Sequence, residues 1–162
     1  MVSIKEIVET IRADSRCQVL PANGSLPLLP NPDMVYPSEL VEFYNLCGGI
    51  VLFGVGKENV SFKILSANEV MQANMLIVGE PCESDISFSW YVVCKLDSGD
   101  YITIDTSKKR GGRCYDSSFE IHGVAGSCPI IALSFSELLC ELYKSSGVDV
   151  FWKTKNYGDA YA

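Results

Sequence analysis

His122 is the only histidine in this 162-residue chain, so any reaction centre built on imidazole must form around it. A nucleophilic Cys–His pair would have to recruit Cys114 or Cys128, and no local signature marks either thiol for that role. A histidine metal site would need thiolates or carboxylates grouped with it. The seven cysteines (Cys17, Cys47, Cys82, Cys94, Cys114, Cys128 and Cys140) lack a CxxC pair and any clustered Cys/His spacing. Asp105, Asp116 and Glu120 could supply paired carboxylates for acid–base work or glycoside hydrolysis, but nothing in their spacing makes them converge.

Phosphate chemistry fares no better. Gly54-Val55-Gly56-Lys57-Glu58-Asn59 opens like a dinucleotide fingerprint, yet Asn59 stands where the third glycine belongs and no helix follows to receive a pyrophosphate. The segment reads as a tight turn between strands. Lys108, Lys109, Arg110 and Arg113 around Gly111-Gly112 form the one basic cluster. Backbone amides and cations could cradle an anion there, or the turn simply balances the nearby Asp105 and Asp116. These residues point to a binding module, without a metal or organic cofactor.

The elements that would position them are better defined. Ile86, Phe88, Trp90, Val92, Cys94 and Leu96 form an apolar period-2 set, and Ser87, Ser89, Tyr91, Val93 and Lys95 form the other, more polar set. Such alternation predicts a strand with one face on a core and one in water. Asp100–Asp105 alternates likewise. A three-residue loop, Asp97-Ser98-Gly99, pairs Cys94 with Ile102 and Val92 with Ile104, and places Gly99 where a left-handed residue is required. Lys95–Tyr101, Val93–Thr103 and Tyr91–Asp105 then face outward as a candidate contact row. Tyr91, Tyr101 and Tyr115 suit an interface because tyrosine brings contact area with little rotamer entropy. Substituting Tyr91 and Asp105 together should then weaken partner binding with little effect on melting temperature.

Elsewhere, Ile4, Ile7, Val8 and Ile11 predict a short opening helix buried along one stripe. The proline-dense segment 18–34 reads as a loop that Leu26, Leu28 and Leu29 could pin to the body. Pro37 starts a second helix with Leu40, Phe43 and Tyr44 on one face, stopped by Gly48-Gly49. Ile50–Phe53 and Phe62–Leu65 read as buried strands. Ser66–Glu69 and Ser134–Glu137 are capping-box patterns, the first opening a helix toward Gly79, the second a helix that buries Phe135, Leu138, Leu139, Leu142 and Tyr143. Helices before and after a strand cluster, without β-α-β alternation, predict an α+β fold: one domain over 1–162, a mainly antiparallel twisted sheet with helices on one face. Residues 1–35 supply the first helix and proline-rich loop, 36–145 the central region and 146–162 a tail.

Twenty acids against 13 bases give a formal charge of −7. That excess disfavours direct nucleic-acid binding, which needs cations against phosphates, and favours approach to a basic protein partner. The amino-terminal stretch lacks the apolar core of a signal peptide, no stretch approaches the length of a membrane span, and the cysteines fit a reducing compartment, so a cytoplasmic location is expected.

The segment Tyr36-Pro37-Ser38-Glu39-Leu40-Val41-Glu42-Phe43-Tyr44-Asn45-Leu46-Cys47-Gly48-Gly49 resembles the early signature of the SUKH superfamily, which includes fungal Smi/Knr-type cell-wall regulators and many bacterial toxin-immunity proteins. Ile86–Asp105 is similar to that family's strand pair with an acidic glycine turn, and Pro129–Leu139 to its closing helix. The resemblance spans residues 36–145. The proline-rich loop, Arg113–Ser117 and Gly158–Tyr161 depart from a minimal member and suggest a bacterial subgroup. The resemblance implies a single-domain α+β fold without catalysis that neutralises a cognate toxin, for example a nuclease, by covering it. Tyr91, Lys95, Tyr101, Thr103 and Asp105 are the expected contacts, with Asp116 and Glu120 beside them. A regulatory scaffold for cell-envelope synthesis is the alternative, and a small-molecule binder or hydrolase using the basic turn and nearby carboxylates is a second.

Overall fold

The apolar stripe at the start folds as α1 (Ile4–Arg12), which buries Ile4, Ile7, Val8 and Ile11. Ser3 accepts from the Glu6 amide while the Glu6 carboxylate accepts from the Ser3 amide, so both orphan donors are satisfied. The structure is a computed structural model that describes residues 2–54 and 60–162. Segment 55–59 of the glycine-rich turn lies outside the described residues.

Among the described residues, eight strands form one antiparallel sheet: β1 (Gln18–Val19), β2 (Ile50–Leu52), β3 (Phe62–Ile64), β4 (Met71–Gln72), β5 (Trp90–Leu96), β6 (Tyr101–Asp105), β7 (Cys114–Asp116) and β8 (Ile130–Ala132). The order runs β1-β2-β3-β5-β6-β7-β8, with β4 also paired to β5. The longer helices α1, α2 (Ser38–Leu46) and α4 (Phe135–Lys144) pack their apolar residues with Ile64, Cys94, Ile102 and Ile104 into the larger core. This is the expected α+β arrangement. At the margin of β8 the tail runs alongside: the Ile130 amide donates to the Gly158 carbonyl, and the Tyr157 amide donates to the Ile130 carbonyl.

The hairpin forms with the expected turn. Cys94 pairs with Ile102 and Lys95 with Tyr101, and Gly99 adopts φ +94°. Beyond Cys94 the expectation fails, because a bulge at Val93 shifts the register. Val92 pairs with Thr103, Tyr91 with Ile104 and Trp90 with Asp105. One extra residue reverses the facing of everything before it. Cys94 and Leu96 therefore keep the helix side together with Tyr91 and Val93. Trp90 and Val92 point to the other side and build a second core with Leu65, Ala73, Tyr115, Cys128, Ile130 and Ala160.

Both faces of the sheet are thus covered. The second cover contains a five-residue helix, α3 (Ala73–Ile77), the 3-10 turn Ile86–Ser89, the 117–128 loop and the chain's final residues. The capping box at Ser66 does form, but it caps only the 3-10 turn Ala67–Glu69. Val70 is extended at φ −61°, ψ 129°, and β4 intervenes before α3, so the single long helix expected toward Gly79 is two short pieces. In the proline-rich loop Leu26 and Leu29 pack on the larger core, whereas Leu28 is 97% exposed and pins nothing.

Candidate protein-binding surface

Apart from Lys95 and Tyr101 at the turn end, the polar alternate positions of the hairpin do not face water. Thr103 and Asp105 are fully buried, Tyr91 is 5% exposed and Asp116 is 9% exposed. Tyr91 lies in the larger core, edge-on to Tyr36 at 6.0 Å between ring centroids. Thr103 Oγ1 is 2.8 Å from Ser117 Oγ. Asp116 is bound through Oδ2 by the Trp152 indole N–H at 2.8 Å and through Oδ1 by the Ser118 amide at 3.0 Å. Tyr115, a further interface candidate, is fully buried and stacks on Trp90 at 3.9 Å. The outward row is therefore a buried polar layer, because burial of hydroxyls and carboxylates is tolerated once each finds a partner.

Asp105 is the centre of that layer. Its Oδ1 accepts from Ser89 Oγ at 2.6 Å and the Ser107 amide at 2.9 Å. Its Oδ2 accepts from Arg110 Nε at 3.0 Å and Tyr115 OH at 2.5 Å. The basic turn thus supplies one cation to a buried carboxylate, while Lys108 and Lys109 remain exposed. Burial, foremost, and the adjacent Asp105 charge push the Tyr115 phenol well above its usual range.

The groups considered for chemistry are also held structurally. His122 is buried in the second cover, where Nε2 lies 2.6 Å from Asn74 Oδ1 and the ring meets Trp90 edge-on. Asn74 in turn donates to Ser87 Oγ at 3.0 Å, and Ser87 to Asp85. The two thiols considered with it turn to backbone carbonyls: Cys128 Sγ donates to Asp116 O at 3.4 Å and Cys114 Sγ to Gly112 O at 3.5 Å. Burial pushes the Cys128 thiol up to about 12, far from the thiolate a nucleophile needs. Among the described residues no His, Cys, Asp and Glu side chains are grouped to hold a metal ion, and no helix is long and apolar enough to cross a membrane.

Burial also holds the His122 imidazole below its ordinary pKa, the Asp85 charge pulling partly the other way. The unfolded chain then binds the proton more readily than the folded one. Stability is complete above the unfolded value of about 6.5 and falls as pH drops below it, until the folded ring itself protonates. With a single histidine, this window reports on His122 alone. Urea unfolding between about pH 7 and 5 should show that decline in the wild type and a flatter profile in His122→Gln; an equal slope in both would assign it elsewhere.

What does reach solvent differs from the expected row. Lys95 and Glu120 are exposed and Tyr101 is half-buried. Glu120 follows Phe119, which is 76% exposed and whose amide donates to Asp100 Oδ1 at 3.3 Å, bringing that loop to the hairpin turn. Reading the sequence for alternation missed a larger feature on the second cover. Met71, Met75, Leu76 and Val78 are all exposed, between 37% and 54%. The signal was present as charge: segments 64–94, 114–132 and 156–162 hold seven of the 20 acids and none of the 13 bases. The remainder of the chain is then exactly balanced, and the whole excess of −7 belongs to the segments that build the second cover.

The sequence profile of the SMI1 / KNR4 family (SUKH-1) matches residues 33–141, from the proline-rich loop through most of α4. The chain belongs to this family. The chain is also similar to Immunity protein YokJ of Bacillus subtilis (strain 168), with 40% identity over 164 residues covering 98% of this chain and 96% of that protein. No solved structure gives a significant match. The expected family signature has a physical reading here. Gly48 lies against the Pro21 carbonyl, and Gly49, at φ +119°, lies against the Ile64 carbonyl. Together the two glycines let the proline-rich loop and β3 close on the end of α2.

Proposed function

We propose that this SUKH-1 protein is a cytoplasmic immunity protein that neutralises a cognate protein toxin by binding and covering it, with no catalysis of its own. The observation that carries the reading is the 40% identity to an immunity protein along 98% of the chain. That likeness takes in the second cover and the tail as well as the helical core. The structural employment of His122, Cys114, Cys128, Asp105 and Asp116 supports a role by contact, since these are the groups a reaction centre would have drawn on.

The concentration of acidic groups on one cover favours a basic partner surface, such as the substrate channel of a nuclease, because complementary potentials speed encounter and exclude wrong partners. Of the contacts expected from the sequence, Lys95, Tyr101 and Glu120 remain available to such a partner; Tyr91, Thr103, Asp105 and Asp116 serve the fold.

The test is a titration of the purified chain into the purified product of the gene adjacent to its own, first assayed for toxin activity. Inhibition should be complete at one chain per toxin, with a 1:1 complex in isothermal calorimetry. Progressive inactivation by sub-stoichiometric chain would show turnover and reject the non-catalytic reading. Undiminished toxin activity at excess chain would reject the immunity role.

A further inference from the structure

We propose that the toxin seats on the β4–α3 corner of the second cover, with Met71, Met75, Leu76 and Val78 forming the apolar contact and Glu80 and Glu83 meeting lysines or arginines around it. This rests on the immunity reading and adds where the partner sits and what its surface must offer.

Single exposed apolar residues are ordinary, but four large ones within residues 71–78 are a patch. The element itself is anchored. Ala73 and Asn74 are buried beneath it, Ile77 packs on the second core, and β4 pairs with β5. Its outer side chains are therefore presented on a fixed backbone, which reduces the ordering cost of binding. Methionine suits such a position because it is unbranched and polarisable and adapts to an uneven partner.

The rim is acidic. Gln72 Nε2 and Asn74 Nδ2 both donate to the Pro81 carbonyl, at 3.1 and 3.0 Å, which holds the following segment against α3. Glu80 and Glu83 flank that proline and are exposed. Among the described residues neither forms an ion pair. No lysine or arginine occurs between Ile64 and Cys94. An apolar centre beside exposed glutamates that form no ion pair among the described residues fits a protein face with an apolar contact flanked by cations. A second copy would set like charges against each other across a two-fold axis, and an anionic membrane would repel the border.

The experiment uses surface plasmon resonance with the immobilised product of the adjacent gene, once that product is shown to be toxic. Wild-type binding together with loss of toxin activity supports the immunity reading; absence of binding sinks that reading first. Met75→Asp with Leu76→Asp should weaken affinity about 30-fold or more, the size expected for a truncated hot spot. Glu80→Lys with Glu83→Lys should slow association about tenfold at low salt and flatten its salt dependence, and Leu28→Asp should bind like wild type. Circular dichroism melts should be unchanged for all, since the altered side chains are exposed. Should the aspartate pair lower the melt, the lysine pair decides. Wild-type affinity in both double variants overturns the proposal, as does equal weakening by Leu28→Asp. A wild-type dimer in sedimentation that Met75→Asp dissolves would give the patch to a second copy and overturn it too.

Discussion

Replacing Asp105 by alanine is expected to lower the unfolding free energy by about 3–5 kcal/mol, the range for breaking a buried ion pair by removing one partner. The carboxylate is fully buried and receives four hydrogen bonds, from Ser89, Ser107, Arg110 and Tyr115. Its removal leaves the Arg110 guanidinium beside an empty space with no counter-charge, strands the Tyr115 hydroxyl and leaves Ser89 Oγ only the Ile86 carbonyl. Domains of this kind hold about 5–15 kcal/mol in total, so the variant should unfold at far lower urea, and some of it at physiological temperature. This reverses the expectation from the sequence, which placed Asp105 on a binding surface and tied its loss to affinity with melting unchanged. An unchanged urea midpoint would show that the polar layer contributes nothing to the fold.

Gly48→Ala is expected to cost about 3 kcal/mol or more, at or beyond the upper end of ordinary overpacking. A Cβ at this position would stand 2.1 Å from the Pro21 carbonyl oxygen, a backbone atom that cannot rotate away. That carbonyl belongs to a loop fixed next door, where the Gly48 amide donates to Leu20 O and the Leu20 amide donates to Gly49 O. Relief requires separating α2 from the proline-rich loop. Gly99→Ala is the control: unlike Gly48 it has a positive φ, +94°, but a Cβ there would meet nothing within 4 Å, so its cost is only the left-handed backbone, about 1–2 kcal/mol. Thermal unfolding of the two variants separates close approach from backbone strain. Similar melting temperatures would refute the packing account.

Much of the frame was legible from local pattern. The stripe of α1, the cap and apolar face of α4, and the Asp97-Ser98-Gly99 turn each rest on neighbours a few residues apart, where spacing and capping chemistry suffice. The bulge at Val93 was not legible, because Trp90, Tyr91, Val92, Val93 and Cys94 are all apolar or aromatic and an inserted residue leaves no break in alternation. The buried polar layer was invisible for a different reason. Asp105 looks solvent-facing until its partners arrive, and Ser89 and Tyr115 come from a 3-10 turn and a strand, 16 and 10 residues away. The helix expected after Ser66 failed because its cap was real but its continuation was not: Val70 turns extended to pair β4 with β5. For the hairpin row, alternation misled because Tyr91, Thr103 and Asp105 are buried.

The tail along β8 has a consequence for how such a protein behaves when crowded. An open sheet invites a neighbour to add a strand wherever a row of backbone amides and carbonyls lies bare. Here Gly158 and Tyr157 occupy that row at one margin, and the strand at the opposite margin, β1, is two residues long. Folded copies at high concentration can therefore stay dispersed instead of stacking into fibres.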